Sequence, residues 1–359
     1  MYLKLFHIFL ISAMMHTVCL SQSRSGEKIH GFVSDAETGE ALDDVNIYIS
    51  GSTIGTVSEG DGSFSFSTNL NGFYQIVFSH VGYKIESYHV TLNGEKGFHF
   101  FDVKLEKETL GLETIEVRSS NREWTSYLKI FKEQLLGNSQ YAEHTYIENP
   151  WVLEFDTDHK NRLFAKSSSP LKIVNRALGY QIKLELVEFE WAPVDYRFLY
   201  LGRLRFEPIS VFDPDIQRRW EDRRETAFEG SFEHFLRKLY RFNHKKDGYT
   251  IYRLDSSYGV RIKPLSDGEL RYELMIRGVS HFDVPAIKGF RMEQPARVVY
   301  VSPDDPFNKQ TSFMQPAGED GIFFVFPNGS LLNPKSMMLS GSWGQQRLAD
   351  RVPVNYSPE

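Results

Sequence analysis

The chain has 359 residues, of which 41% are hydrophobic and 25% charged, and its formal net charge is −6. This length and composition indicate a globular protein of two or three domains and exclude collagen-like, coiled-coil and disordered chains. The acidic balance disfavours nucleic-acid binding, which leaves a basic footprint. The single cysteine, Cys19, excludes a disulfide scaffold and a cysteine-ligated metal site.

Residues 1–21 have the pattern of a secretory signal peptide. Lys4 precedes an apolar stretch from Leu5 to Val18, which is too short to cross a bilayer comfortably. We therefore expect cleavage near Ser21 and an exported protein. An alternative makes Cys19 a lipidated residue, although the three residues before it match the required small-residue pattern poorly. No later segment has 18 consecutive apolar residues, so we expect no transmembrane helix after signal removal.

Residues 27–106 read as a small all-β domain, because short alternating apolar runs are separated by turn signals. Asp61-Gly62, Asn71-Gly72 and Asn93-Gly94 each place a residue that tolerates positive φ beside a glycine. The segment holds twelve carboxylates and four lysines, a net charge of −8. The predicted strands are Ile29–Val33, Val45–Ile49, Phe64–Phe66, Phe73–Phe78 and Tyr88–Leu92.

Six short pieces of this segment form an ordered set of motifs: Gly31-Phe32-Val33-Ser34-Asp35, Thr38-Gly39-Glu40-Ala41-Leu42, Val45-Asn46-Ile47, Gly55-Thr56, Asp61-Gly62-Ser63-Phe64 and Ser79-His80-Val81-Gly82-Tyr83. With these motifs, residues 29–92 resemble the carboxypeptidase-regulatory-like domain, a transthyretin-like β-sandwich of exported Gram-negative envelope proteins. The resemblance implies a module that is not itself catalytic, and a place in the periplasm or at the outer-membrane periphery.

A linker is predicted over residues 107–121. Within it, Leu110–Val117 resembles the strand that joins such a module to the plug of an outer-membrane receptor. The residues that follow are too few for a plug and a 22-stranded barrel. We therefore do not expect a receptor of that kind.

Residues 122–350 are predicted to form an α+β domain with a mainly antiparallel sheet, followed by a fraying tail over residues 351–359. A capping box of Ser120 and Glu123 opens an amphipathic helix that stops at Gly137. A helical pair is expected over 214–229 and 232–242. Predicted strands cover residues 151–155, 162–166, 171–174, 180–189, 196–206, 249–254, 270–276, 297–301 and 322–326.

The helical pair carries nine basic and five acidic residues between Arg218 and Lys246. We interpret it as a surface pair with internal ion pairs and a buried apolar stripe. The alternative is a basic docking surface for lipid headgroups or for the acidic module. His234, which lies near two phenylalanines, is interpreted as a histidine of the core edge.

The motifs of familiar enzymes are absent from the sequence, so no catalytic, cofactor-binding or metal-binding residue is predicted. None of the eleven histidines begins a His-x-x-Glu zinc motif, and the glycine motifs of nucleotide sites are missing. The serine-hydrolase pattern Gly-x-Ser-x-Gly is also missing. Gly341-Ser342-Trp343-Gly344 is off by one position and is interpreted as a turn.

Acidic pairs are the remaining candidates for catalysis, since a glycosidase needs only two well-placed carboxylates. Their proline-rich surroundings favour helix caps and turns instead. The loop Glu59–Gly62 lacks the regular spacing of a calcium site and is interpreted as a turn. The pairs are Asp156/Asp158, Asp213/Asp215 and Asp304/Asp305.

The sequence thus favours a non-enzymatic exported protein that binds a protein or another envelope component. One alternative is an envelope glycan or peptide hydrolase that uses acids of the α+β domain. A second is a carbohydrate-binding accessory protein that uses Trp191, Tyr196 and Tyr200.

Overall fold

The structure is a computed structural model that describes residues 26–94, 97–108, 121–254, 258–259, 262–279 and 286–358. The predicted signal peptide, Ser120 of the capping box and residues 109–120 of the linker lie outside these residues. Among the helices of the described residues, none has the length and apolar character that crossing a membrane requires.

The N-terminal region is a sandwich of two sheets. The first sheet has three strands in the order β4-β1-β7, and the second has four in the order β3-β2-β5-β6. All pairs are antiparallel except β1 with β7. The strands are β1 (Glu27–Asp35), β2 (Asn46–Ile49), β3 (Gly55–Val57), β4 (Ser63–Thr68), β5 (Asn71–Ser79), β6 (Glu86–Asn93) and β7 (Phe98–Leu105).

Alternating side chains of both sheets fill the core of the sandwich. Ile29, Ile47, Ile76 and Phe78 are completely buried there. The parallel pair approaches closely at Gly31, where a Cβ atom would lie 1.7 Å from the carbonyl oxygen of Phe101. Any larger residue would therefore push the strands apart.

One predicted turn of the sandwich is wrong. Asn71 and Gly72 open strand β5 rather than a turn, because the chain crosses from the first sheet to the second at residues 69–70. The predicted turn at Asp61-Gly62 is present, with Gly62 at φ +77° and the Glu59 N–H donating to the Ser63 carbonyl at 2.8 Å.

The remaining described residues form an α+β region. Its helices are α1 (Asn121–Leu136), α2 (Pro214–Phe228), α3 (Phe232–Tyr240), α4 (Asp267–Ile276) and α5 (Ser342–Gln345). Its strands are β8 (Thr145–Ile147), β9 (Leu153–Thr157), β10 (Leu163–Ser167), β11 (Leu171–Asn175), β12 (Tyr180–Ala192), β13 (Arg197–Pro208), β14 (Tyr249–Arg253), β15 (Lys263–Pro264), β16 (Lys288–Arg291), β17 (Ala296–Val301), β18 (Lys309–Pro316), β19 (Ile322–Val325) and β20 (Met337–Gly341).

These strands form three antiparallel sheets. A six-stranded sheet runs β8-β11-β12-β10-β9, with β13 on the other edge of the long strand β12. A four-stranded sheet runs β14-β17-β18-β20, and a three-stranded one β15-β16-β19. Helix α1 packs its apolar stripe on the first of these, where the Phe131 and Phe189 ring centroids are 4.6 Å apart. Helix α3 packs on the second through Phe235, Leu236 and Leu239.

The strand predicted over 270–276 is wrong, because this segment is helix α4. Ser266 and Glu269 form a capping box at its start, and Leu270 and Leu274, four residues apart, share a buried face. The apolar residues alone fit a strand, whereas the capping box marks the start of a helix. Strands β8, β15, β16, β18 and β20 were not predicted either, and all five are eight residues long or fewer.

The tail, expected to fray, packs between the two regions. Val352 is 4% exposed, and the Val354 N–H donates to the Gly51 carbonyl of the sandwich at 2.8 Å. The Arg237 guanidinium donates to the carbonyls of Val354 and Tyr356, each at 2.8 Å. These bonds anchor the backbone, which explains the order of the tail.

Candidate interaction surfaces

The first sheet of the sandwich presents exposed aromatic rings on its outer side. Even-numbered residues of β1 and β7 point away from the core, which places His30, Phe32, Phe98 and Phe100 on one surface, called here the aromatic face. Phe32 is 48%, Phe98 78% and Phe100 60% exposed. The ring of His30 meets the edge of Phe100 at 5.5 Å between centroids, so the rings form a connected patch.

Charged and hydroxyl side chains surround the aromatic face. In the sheet register Lys28 lies beside Phe98, and Asp102 beside Phe32. Three serines of β4 continue the row on the other side of β1. The patch is therefore a strip of rings with polar margins, an arrangement typical of surfaces that bind another molecule. The serines are Ser63, Ser65 and Ser67.

Asp35 organises the turn that follows strand β1. Its carboxylate accepts from the backbone N–H groups of Thr38 and Glu37, at 2.9 and 2.8 Å, and from the Tyr83 hydroxyl at 2.8 Å. These bonds, that from Thr38 foremost, hold the pKa of Asp35 well below its usual range. Tyr83, part of the motif that resembles the family, thus fixes a turn and does not line a site.

The second sheet buries its outer side against the α+β region. Tyr48 and Val77 are neighbours on that side and are 3% and 0% exposed. The Tyr48 hydroxyl donates to Oε1 of Glu185 on β12 at 3.1 Å. Burial raises the pKa of Glu185, against the hydrogen bonds from Ser79 and Tyr48 and the charge of Arg203 that lower it.

Backbone and ring contacts complete the interface between the two regions. The Gly51 N–H donates to the Leu204 carbonyl and the Phe206 N–H to the Ser52 carbonyl, at 2.6 and 3.0 Å. The Phe73 ring stacks on Phe326 with centroids 5.0 Å apart. The sandwich is therefore docked by one sheet through main-chain bonds, a buried carboxylate and aromatic stacking.

The arginines of the helical pair largely hold the fold together. Arg224 donates to the Leu178 carbonyl at 2.8 Å and lies over the Tyr180 ring at 4.2 Å, and Arg237 anchors the tail. These contacts agree with a surface helix pair rather than a docking surface. The basic residues that remain exposed are Arg218, Arg219, Arg241, Lys245 and Lys246.

His234 is a core histidine, as expected from the sequence. It is 7% exposed, and its Nδ1 lies 3.0 Å from the Tyr249 hydroxyl and 3.2 Å from the Gly230 nitrogen. Burial lowers the pKa of His234 to about 4, so the ring is neutral at pH 7. A neutral, enclosed ring suits packing.

The aromatic residues proposed for carbohydrate binding do not share one exposed platform. Trp191 packs against the core around β12. Tyr200 stacks on Phe198 with centroids 5.8 Å apart and accepts a hydrogen bond from Arg351 at 3.3 Å. Tyr196 is 85% exposed and touches Trp191 edge-on at 6.4 Å.

The acidic pairs serve as caps and turns. Asp213 caps α2 by accepting from the backbone of Asp215 at 2.9 Å, and Asp305 accepts from the Phe307 N–H at 3.0 Å. Burial raises the pKa of Asp158, but hydrogen bonds and the charge of Arg162 outweigh it and lower the value to about 2. Such a carboxylate is a poor general acid.

The turn predicted at Gly341-Ser342-Trp343-Gly344 is instead the end of β20 followed by helix α5, which places Trp343 in the core, where it is 4% exposed and donates to the Gly230 carbonyl at 2.7 Å. The Ser342 hydroxyl donates to the Thr311 carbonyl at 3.1 Å. In the described part of the chain, no three of the His, Cys, Asp and Glu side chains are grouped as metal ligands would be. An open depression of about 470 Å³ beside Asn355 is lined by Gly26, Ile54, Ser67, Thr68, Asn69, Leu70 and Asn355, without a carboxylic acid or histidine among them.

Sequence reasoning missed the aromatic face because it did not predict β7. The signal was present: Phe98 and Phe100 alternate with His99 and Phe101, and then Val103 and Leu105 continue the inward set. A run with apolar residues on both sides indicates a strand with two apolar faces. The register with β1 then decides which face lies outside.

Comparison with known proteins identifies the sandwich. The family model described as the CarboxypepD_reg-like domain matches residues 29–117. No curated protein matches the chain.

The similar solved structures carry no functional argument, because their TM-scores are 0.18–0.19. The pilus 2b backbone protein of group B streptococcus is 16% identical at TM-score 0.19, over 24% of this chain and 42% of that one. A DUF3823 family protein from Bacteroides ovatus is 13% identical at TM-score 0.18, over 52% and 82%. The Bacillus anthracis TIE protein is 8% identical at TM-score 0.19, over 52% and 32%. This chain thus spans less than two thirds of the pilus and TIE proteins.

The motifs, the two-sheet fold and the family match agree. Residues 29–117 match the family model of the CarboxypepD_reg-like domain, and the described residues of this segment form a β-sandwich joined to an α+β region.

Proposed function

We propose that this protein is an exported, non-enzymatic envelope protein that uses its sandwich to bind a protein partner. The observation that carries the proposal is the aromatic face, with Phe98 78% and Phe100 60% exposed. Contiguous exposed rings lose contact with water when a partner covers them, and aromatic residues dominate the binding energy of many interfaces.

The way in which the sandwich is docked supports this proposal. Its second sheet holds the α+β region, so the first sheet faces away and stays open to a partner. The matched family is a regulatory-like domain, which fits a binding role. Export to the periplasm or the outer-membrane periphery rests on the signal-peptide pattern of residues 1–21.

The test is cross-linking and co-purification of the tagged protein from the envelope fraction. The variant Phe98→Ser/Phe100→Ser is expected to lose its captured partners. A matched control is Phe212→Ser/Phe307→Ser, which removes two phenylalanines that are 101% and 97% exposed in the α+β region. This control is expected to capture the same partners as the parent protein.

Two results would overturn the proposal. One is recovery of the parent protein alone, together with turnover of envelope glycans or peptides, which would favour the hydrolase alternative. The other is equal loss of partners in both double variants, which would show that exposed phenylalanines matter only as general adhesive surface.

A further inference from the structure

Strand β7 ends the first sheet with an open edge. On one side, Lys28 N–H donates to the Gly97 carbonyl and Ala36 N–H to the Leu105 carbonyl, both at 2.9 Å. In a parallel pair of strands, this pattern means that the N–H and C=O groups of the odd-numbered residues of β7 bond to β1. The backbone groups of Phe98, Phe100, Asp102 and Lys104 therefore point away from the sheet.

The chain itself occupies the same edge just beyond β7. Lys84 N–H donates to the Glu106 carbonyl at 2.8 Å, and Glu108 N–H to the Gly82 carbonyl at 2.9 Å. This short antiparallel pairing confirms that even-numbered residues face outward, and it closes the edge from Glu106 onward. Among the described residues, no backbone pairs with the edge from Phe98 to Lys104.

This free edge lacks most of the usual protections against pairing. Natural edge strands are shortened, bulged, interrupted by proline, charged or covered. Strand β7 has eight residues in unbroken register with β1 and contains no proline, and its charged side chains are Asp102 and Lys104. Its backbone is thus a template for another strand.

We propose that β7 pairs antiparallel with β7 of a second copy of this chain, about a two-fold axis at Phe101. The free segment from Phe98 to Lys104 is centred on Phe101, so this register uses every open backbone group. A two-fold axis at Val103 would instead place Phe100 opposite Glu106, whose backbone Lys84 already occupies. The intrachain pairing thus selects the register.

The side chains are complementary in this register. Lys104 of one copy lies opposite Phe98 of the other, and the contact occurs twice by symmetry. A lysine ammonium beside an aromatic ring is attracted to the ring. Phe100 of each copy lies diagonal to Phe100 of the other, within reach across a sheet. The two sheets join into one sheet of six strands whose outer rings lie on the same side.

The expected association is weak, because seven paired residues bury far less than the roughly 1,600 Å² of a standard interface. The inference goes beyond the proposed function: it pairs the backbone edge of β7, whereas binding of an envelope partner covers the outer surfaces of the rings. Both involve Phe98 and Phe100, so Asp102→Pro, which keeps both rings, tests the pairing separately from the capture of a partner.

The experiment is sedimentation equilibrium of the purified protein from low micromolar to several hundred micromolar. Asp102→Pro removes an outward N–H that β1 does not use, and edge strands tolerate proline at such positions. The matched control is Ser65→Pro on β4, the other edge of the same sheet. Ser65 lies opposite His30, whose backbone bonds β7, so its N–H also points outward. The parent and Ser65→Pro should dimerise as concentration rises, and Asp102→Pro should stay monomeric.

A second pair of variants tests the register. Phe98→Lys places two lysines opposite each other and should weaken dimerisation at least tenfold. Phe98→Lys/Lys104→Phe exchanges the two side chains of this pair and should restore dimerisation. Circular dichroism checks that each variant is folded. A parent that is monomeric at every concentration, equal association of the two proline variants, or no rescue by the exchange would overturn the proposal.

Discussion

The two sheets of the sandwich differ in what lies on their outer faces. On the second sheet, Tyr48 and Val77 are 3% and 0% exposed, and Tyr48 meets Glu185 of β12 and Arg205 of β13. On the first sheet, Phe98 and Phe100 are 78% and 60% exposed. Both faces carry apolar residues at alternating positions, so strand chemistry alone does not distinguish the face that docks from the face that remains open.

The outer face of the second sheet docks within the molecule, whereas the outer face of the first sheet is free to bind another molecule. The covered face combines apolar contact with hydrogen bonds to specific backbone groups and to Glu185, which fix one orientation. The open face has rings with polar margins, and it ends in a strand edge whose outward backbone groups from Phe98 to Lys104 pair with no other described residue. Substitutions on the covered face should therefore change stability, and those on the open face should change association.

The largest effect is expected when a charge is placed on each face in turn. Val77→Asp buries an unpaired carboxylate and should lower the free energy of unfolding by at least about 3 kcal/mol. Phe100→Asp, the matched variant on the open face, should change it by about 0.5 kcal/mol or less. Denaturant unfolding measures both. Similar losses for the two variants would contradict the difference between the faces.

The next largest effect concerns the aromatic contact between the two regions. Phe73 lies between His89 and Phe326, with ring centroids 5.0 Å from each. Phe73→Ala removes both stacking contacts from a half-buried ring and should cost about 2 kcal/mol. Phe32→Ala, on the open face, is the control and should be nearly neutral. Thermal unfolding of both variants gives the comparison.

A smaller, pH-dependent effect is expected from Glu185. Burial raises its pKa above the ordinary value of 4.5, so the folded state prefers the protonated acid. The stability that this preference contributes is complete below pH 4.5 and is lost as pH rises through the raised pKa. Glu185→Gln stays neutral, so its melting temperature relative to the parent should increase with pH. A constant difference from pH 4 to pH 8 would contradict this role.

The smallest effect is expected from the tail. The Asn355 side chain accepts from the Thr53 N–H at 3.0 Å and donates to the Thr53 hydroxyl at 2.8 Å. Asn355→Ala removes both bonds and should cost about 1 kcal/mol. Ser357→Ala, an exposed tail position, is the control. If both variants have the melting temperature of the parent, the two Asn355 bonds do not help to hold the sandwich.

The sequence predicted the sandwich and α1 well because local signals carried both. Alternation at Ile29–Val33 and the spacing from Tyr127 to Leu135 are properties of neighbouring residues. The strand predicted for the α4 segment is wrong because its apolar residues fit both the strand and the helix periodicity. Only the capping box of Ser266 and Glu269 distinguishes the two. The neighbours of the acidic pairs favour caps and turns. In the structure Asp213 caps α2, and Asp305 accepts from the Phe307 N–H in a turn.

By itself the sequence determined the alternation of the strands, the turn at Asp61-Gly62 and the resemblance of residues 29–92 to the carboxypeptidase-regulatory-like domain, because these are properties of residues close together in the chain. Only the tertiary structure decided that Tyr48 meets Glu185, that the tail is anchored by Arg237, and that Phe98 and Phe100 face solvent. Each of these depends on residues more than 60 positions apart, or on which sheet packs against the second region. Local periodicity shows that a strand has an apolar side, whereas its neighbour in space decides whether that side is buried.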